Sequence, residues 1–335
     1  MQTDCKKMVI FTAKMRTKDG VAMKTGILIL LFLAINLLAK AQQDPQFSQN
    51  MFNHMTVNPA FAGQQGRWVV SGIYRNQWQS MPDAPETYAL NVDGPLRIKG
   101  IEGGFGLNVM TDKLGLQTRL LLMSDYSYKR TLSLGVLSVG VKFGIVNEKI
   151  GSDYYIPNDE NHTQPGDDPA INQEDISKIK FDLGAGVFLS GKKYYAGAAV
   201  SHLTKPGFTV GQTGRFFLAP HLYLTGGYTI ELAPEWDIQP SAYVMTDFVS
   251  AQYSINANAV FRKMYWGGVS YRYEEAVIFM GGLELKNGIM VGYSYDWNMG
   301  GTGRYIGGSH EVTLSYSFGL EVGKRQKIYK SVRFL

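Results

Sequence analysis

From residue 67 onward the chain alternates apolar and polar positions with a period of two. The pattern is clearest near the end. Ile289, Val291, Tyr293, Tyr295 and Trp297 are apolar or aromatic, while Met290, Gly292, Ser294, Asp296 and Asn298 are small or polar apart from the methionine. After a glycine-rich gap, Val312, Leu314, Tyr316 and Phe318 alternate with Thr313, Ser315, Ser317 and Gly319. Successive side chains on a strand point to opposite faces, so this period predicts strands. The runs reach about ten residues, longer than a typical globular strand and suited to a tilted strand that crosses a bilayer. On this hairpin alone a transmembrane barrel and a soluble β-sandwich fit equally well.

The same alternation recurs along the chain. Leu137, Val139, Val141, Phe143 and Ile145 oppose Ser138, Gly140, Lys142 and Gly144, and Ile179, Phe181, Leu183, Ala185 and Val187 oppose Lys180, Asp182, Gly184 and Gly186. It predicts strands over 67–78, 86–95, 101–112, 116–130, 136–149, 179–190, 193–203, 216–230, 236–247, 251–262, 264–273, 276–286, 288–298 and 309–320, about fourteen in all. Charges keep to one face, which predicts a polar lumen crossed by a network of Arg119, Asp125, Lys142, Lys180, Asp182, Arg272, Glu284 and Asp296. Arg75, Glu102 and Asp237 stand on the same face.

Connection lengths separate the two folds. With both chain ends in the periplasm, odd-to-even connections face outward, and these include the long stretches 150–178, 204–215 and 299–308. The even-to-odd connections are tight, as at Gly191-Lys192, Arg262-Lys263, Lys286-Asn287-Gly288 and around Pro234. Long external loops over short periplasmic turns are the bacterial outer-membrane arrangement, and a sandwich has no reason to sort its loops this way. The expected fold is therefore all-β: an antiparallel transmembrane barrel of the cell outer membrane over 67–320, in contact with its lipid.

Composition changes the picture at the ends. The chain has 335 residues, 38 glycines, 20 tyrosines and a formal net charge of +5. Residues 1–41 carry seven of the 33 basic and two of the 28 acidic residues, so the remainder holds 26 of each and no net charge. A nucleic-acid partner, which needs a basic surplus, is not expected. Met23-Lys24, the apolar run Ile27–Leu38 and Ala39-Lys40-Ala41 read as a secretory signal peptide cleaved after Ala41, with Met23 as the start and residues 1–22 as an upstream extension. The one cysteine, Cys5, falls in the discarded part, away from the position a lipoprotein would need. Residues 321–335 form a basic tail carrying Lys324, Arg325, Lys327, Lys330 and Arg333, either solvated or set against headgroups or a periplasmic partner.

Residues 42–66 precede the first strand. Phe47, Met51 and Met55 are spaced for one side of a short helix that Asn58-Pro59 would stop, so the segment is expected to plug or cap the barrel, or to form a loose tail. The outer stretch 151–175 is acidic, with Asp159, Glu160, Asp167 and Asp168 as a candidate client surface. Its spacing does not match a calcium loop, and a solvated loop is the simpler reading. Catalytic patterns are missing: His54, His162, His202, His221 and His310 are scattered, and no G-x-S-x-G or H-E-x-x-H is present. His310-Glu311 could be read as part of a hydrolytic site but fits a hydrogen-bonded rim position better. Gly103-Gly104-Phe105-Gly106 lacks the helix a phosphate loop needs. No enzyme activity, cofactor or metal is expected.

Two motif pairs add a resemblance. Phe47-Ser48-Gln49 with Met51, followed by Asn58-Pro59-Ala60 and Ala62-Gly63, is similar to the mature start of the PorP/SprF family. Tyr74-Arg75-Asn76-Gln77-Trp78, with Pro85 and Thr87 ahead of the second strand, resembles that family's Y-R-x-Q-W and P-x-T pair, and Ser309–Leu314 resembles its last strand. The resemblance implies an outer-membrane component of the type IX secretion system of Bacteroidetes, with other components of that system as partners. It further implies a secreted adhesin-like client with a type IX C-terminal domain, as in gliding motility. The lumen or the outer loops would then grip the client. The alternative is a passive porin-like channel, which requires an open lumen.

Overall fold

A computed structural model of the chain describes residues 44–152, 175–210, 214–300 and 307–319. The leader, the basic tail and Asp159, Glu160, Asp167 and Asp168 lie outside the described residues. The described part is a closed antiparallel barrel. Its strands are β1 (Trp68–Asn76), β2 (Glu86–Ile98), β3 (Ile101–Leu114), β4 (Gln117–Leu132), β5 (Gly135–Ile150), β6 (Ile176–Ser190) and β7 (Tyr194–Ser201). The short β8 (Gly207–Val210) and β9 (Gly214–Phe217) form a separate hairpin. The barrel continues through β10 (His221–Tyr228), β11 (Ile230–Ala233), β12 (Trp236–Thr246), β13 (Ala251–Phe261), β14 (Tyr265–Arg272), β15 (Ala276–Glu284), β16 (Ile289–Asn298) and β17 (Ser309–Phe318).

Each strand pairs with its chain neighbour, β7 pairs with β10 across the β8–β9 excursion, and β1 closes on β17 from Trp68↔Phe318 to Asn76↔His310. Strands β10 and β11 are one interrupted stave. Pairing with β12 stops at Gly227↔Ser241 and resumes at Ile230↔Ile238, and between these stands Pro240, which has no N–H to give. Counted so, the barrel has 14 staves. Closure pairs the backbone groups that an open sheet edge would strand in hydrocarbon. No helix among the described residues is long and apolar enough to cross a membrane.

Both ends of the β-chain lie at one end of the barrel, where the connections are tight. Lys99 (φ 49°) and Gly100 (φ 85°) join the facing Ile98 and Ile101 as a two-residue turn with two left-handed residues. The long connections gather at the opposite, external end. One of them differs from the expected plain loop: the eighth stave begins at His221 rather than near 216, because β8 and β9 pair as a hairpin of their own. That hairpin turns Phe208 and neighbouring Leu218 into the mouth of the barrel, where both are buried with Phe47, Ile73, Met110 and Leu121.

Outside, an apolar belt faces lipid: Leu90, Leu122, Val141, Phe143, Ile255, Val269, Val291 and Leu314 are all exposed. Inside runs the chain's own start. None of residues 44–66 is exposed, and the segment descends from the external half to enter β1 at the periplasmic end. It is not one helix. Three single turns, Asn50–Phe52, His54–Val57 and Pro59–Phe61, follow one another. Phe47, Met51 and Met55 do not share a face but enter three different clusters. A segment walled on all sides buries a side chain wherever it points, so the amphipathic spacing has no single core to face.

The lipid band gives a direct expectation. Val141→Arg, at mid-height on β5, should lower unfolding stability in lipid vesicles by about 2–4 kcal/mol. Leu134→Arg, in the exposed turn between β4 and β5, should change it by less than about 0.5 kcal/mol. Urea titration reads both, and equal losses would contradict the placement of the band.

Candidate functional site

The site is the seam between the inner segment and the wall. At its external end, β1, β16 and β17 aim Arg75, Asp296 and Glu311 inward, because odd positions of β1 and β17 and even positions of β16 face the lumen. Arg75 Nη2 lies 2.8 Å from Asp296 Oδ2 and Nη1 lies 3.3 Å from Glu311 Oε2, with all three side chains essentially sealed from solvent. Arg272 from β14 joins them, 3.2 Å from Asp296 and 2.9 Å from Glu275. The segment caps this cluster with neutral groups. Ser48 N and Gln49 N donate to the two Glu311 oxygens at 2.7 and 2.8 Å. Ser48 Oγ accepts from Arg75 Nη1 at 2.5 Å and donates to Asp296 Oδ1 at 2.5 Å. Charge-assisted bonds of this kind are the stronger class.

On the opposite wall Asp44 is the anchor. His202 Nε2 approaches Asp44 Oδ1 at 3.0 Å, Arg119 Nη1 lies 3.9 Å away, and Tyr223 OH and Ser201 Oγ both donate to Oδ2. The wall groups are themselves paired: Arg119 with Glu148 at 2.9 Å, and His202 Nδ1 with Asp182 at 2.5 Å. His202 holds φ 53°, an unusual backbone for a residue with a side chain, which turns its ring inward just past the end of β7. A cavity of about 30 Å³ remains beside Asp44, Thr56, Lys142, Asp182, His202 and Tyr223. That is room for about two water molecules.

Lower down, the wall is shaped to the segment. Lys142 Nζ donates to Thr56 O at 2.6 Å and lies 3.8 Å from Asp125. Asn91 from β2 donates to Thr56 Oγ1 at 3.1 Å. Asn58 caps its own turn by accepting from Ala60 N at 2.9 Å, and its Nδ2 donates to Val187 O at 3.0 Å on β6. At several of the closest approaches of the segment's backbone, the wall has no side chain. A Cβ at Gly104 would overlap Ala62 O, one at Gly140 would overlap Ala60, one at Gly186 would overlap Asn58, and one at Gly292 would overlap Gln49. Near the exit, Gly63 adopts φ +67° and its N–H bonds Asp93 at 2.8 Å.

The structure brings together motifs that lie far apart in the chain. Ser48 and Gln49 meet Arg75 and Glu311, while Phe47 packs beneath the β8–β9 hairpin and Asn58, Pro59 and Ala60 form the lower turn. Tyr74 points the other way, its ring 4.9 Å from that of Tyr88 on the lipid face. Gln77 N bonds Pro85 O at 2.9 Å and Trp78 N reaches Ser309 Oγ at 3.3 Å, so this part of the motif shapes the external rim. Thr87 Oγ1 donates to Asp112 at 2.6 Å.

Of the expected lumen charges, Arg119, Asp125, Lys142, Asp182, Arg272 and Asp296 are buried, but in three separate clusters rather than one network. Lys180 and Glu284 stand apart from all three. Lys180 is exposed near the external end of β6, and Glu284 closes β15 at the periplasmic end. Asp44, Glu148, His202, Tyr223 and Glu311 are added. Alternation alone could have flagged Glu148 and Glu311; nothing local marks Asp44. His310 and Glu311 face opposite sides of β17, His310 Nδ1 sharing a 2.7 Å hydrogen bond with Tyr293 OH, so the two cannot form one hydrolytic site.

The family described as type IX secretion system membrane protein PorP/SprF matches residues 39–316. No curated protein matches the chain. Solved structures similar to it include the Ralstonia pickettii toluene transporter TbuX, at 11% identity and a TM-score of 0.49 over 81% of this chain and 93% of that one. The CymD monoaromatic hydrocarbon channel is similar at 11% identity and 0.46, over 82% and 94%. A Pseudomonas aeruginosa FadL homologue is similar at 11% and 0.41, over 82% and 94%.

The seam predicts a ranked response. Arg75→Leu leaves the buried Glu311 without its cation and Asp296 with Arg272 alone, and should cost about 3–5 kcal/mol of unfolding stability. Ser48→Ala removes hydroxyl bonds while the backbone bonds to Glu311 remain, and should cost about 1 kcal/mol. Urea titration of purified, lipid-reconstituted protein measures both; a reversed order would refute the account of the cluster.

Proposed function

The chain belongs to the PorP/SprF family of type IX secretion system membrane proteins, and on that footing we propose that this outer-membrane barrel is a closed, non-catalytic holder for one secreted client. The client is an adhesin-like protein carrying a type IX C-terminal domain, retained for export or surface attachment, with gliding motility as one setting. One observation carries this reading: residues 44–66 lie inside the barrel, none of them exposed. The inward glycines, which leave room for an inserted segment, already hold the chain's own start. The client's place is therefore the external rim and not the lumen.

That rim offers contact groups. Phe248 and Val249, 69% and 85% exposed, cap the β12–β13 turn, and Met81 and Phe217 stand exposed on other external connections. The acidic stretch carrying Asp159, Glu160, Asp167 and Asp168 joins β5 to β6 at the same end. Large exposed apolar groups beside charge are the usual makings of a protein-docking surface.

A deletion strain compared with its parent tests this. Loss of one large surface adhesin, with other secreted cargo intact, is the expected result. Loss of all type IX cargo would make the protein a general part of the machine, and an unchanged surface with altered solute uptake would favour a passive channel and overturn the proposal.

A further inference from the structure

We propose that residues 44–66 are a reversibly bound peptide ligand of the lumen, so that the barrel contains a peptide-binding site it occupies in cis and can fill in trans. The inference goes beyond the holding role and does not depend on it.

The charge bookkeeping points to release. Between residues 44 and 66 the only formally charged side chain is Asp44. Among the described residues, every arginine or lysine that reaches the segment also has a carboxylate partner in the wall. Arg75 has Asp296 and Glu311, Arg119 has Glu148, Lys142 has Asp125, and Arg272 has Asp296 and Glu275. Withdrawing the segment therefore breaks hydrogen bonds but strands no wall cation. Stranding a buried charge is the expensive event in such sites, whereas bonds from the segment's neutral groups, including the charge-assisted ones to Glu311 and Arg75, pass to entering water at a smaller net cost. Asp44 itself would pass into solvent, where a carboxylate is well hydrated.

The seam is also built as a binding site: Phe47, Met51, Met55 and Phe61 are the segment's apolar anchors and seat in clusters of wall side chains. The segment contributes no strand to the barrel, whose ladder closes through β1 and β17 without it. It meets the wall at glycines, including Gly104, Gly140, Gly186 and Gly292, which fit a peptide backbone closely and carry no side chain to interlock with it. Gly63 (φ +67°) and Gly66 (φ +65°) sit at its exit and supply a hinge just before β1. At the external end the bound state is secured by Phe47 under Phe208 and Leu218, a contact the segment loses as it slides toward the periplasm. The ligand class is thus a peptide that starts with a carboxylate, presents a hydroxyl and two backbone N–H groups to Glu311 and Arg75, and continues with small residues.

The test uses planar bilayers and the full mature protein beside a variant lacking residues 42–62. Heat-modifiable migration on gels reports whether each barrel is folded. The intact protein should conduct rarely, the truncated one steadily. A synthetic peptide of residues 44–62, added from the periplasmic side, should block the truncated barrel, and a scrambled peptide should not. In the intact protein Asp44→Ala should raise the open fraction about tenfold, the effect of losing a charged anchor. A truncated barrel that fails to fold would overturn the proposal, since the wall would then need the segment. So would a folded truncated barrel that stays closed, or one that conducts but ignores the peptide.

Discussion

The controlling constraint is the width of a closed barrel in a medium that satisfies no polar group. About eight strands enclose a space that side chains alone can fill. With 14 staves the interior is wider than that, and a wall of serines, asparagines and paired charges cannot close it. Something hydrogen-bonding has to occupy the centre, or water will. Here the chain supplies its own filler, a stretch with one formal charge, many amides and several small residues. The filler's shape, three single turns and not a helix, follows from serving walls on every side.

That filler explains the placing of the charges. Among the described residues, Arg75, Arg119, Lys142 and Arg272 are each neutralised within the wall, and the segment then adds donors and acceptors to pairs that are already balanced. The arrangement is economical in a low-dielectric site, where an unpaired ion is far costlier than an unmade neutral hydrogen bond. It also separates two tasks. The strands and their ion pairs make a barrel; the segment decides whether that barrel has a lumen. Glycines mark the line between them, because only a residue without a side chain lets one backbone lie against another.

In the proposed reading, a barrel filled in this way leaves contact with a partner to its surface. Among the described residues, the cavity beside Asp44 accommodates only a couple of waters. The external rim, by contrast, carries long connections, an inward-folded hairpin and exposed phenylalanine and valine at a turn tip. Membership of the family makes the protein an outer-membrane component of type IX secretion, and the holding role proposed above rests on the segment inside the barrel.

Much of this was written in the sequence. The two-residue period sets which side chains face lipid, and with strand lengths and loop sorting it determined an outer-membrane barrel, its stave number and its inward charges. The alternation also put Arg75, Asp296 and Glu311 on one face. What it could not say is which inward charges meet, because neighbours across a lumen are set by strand order, register and curvature and not by spacing in the chain. Lys180 and Glu284 share the inward face with Asp182 and Asp296 yet stand at other heights, away from the three clusters around Arg75, Asp44 and Lys142. Asp44 carries no local signal at all; it became an anchor only because the segment climbs to the level of His202 and Arg119. The sequence by itself determined a wall with a polar inside. Only the tertiary structure decided that residues 44–66 fill it, because a segment bound on all sides shows no periodicity, and its partners lie up to 263 residues away.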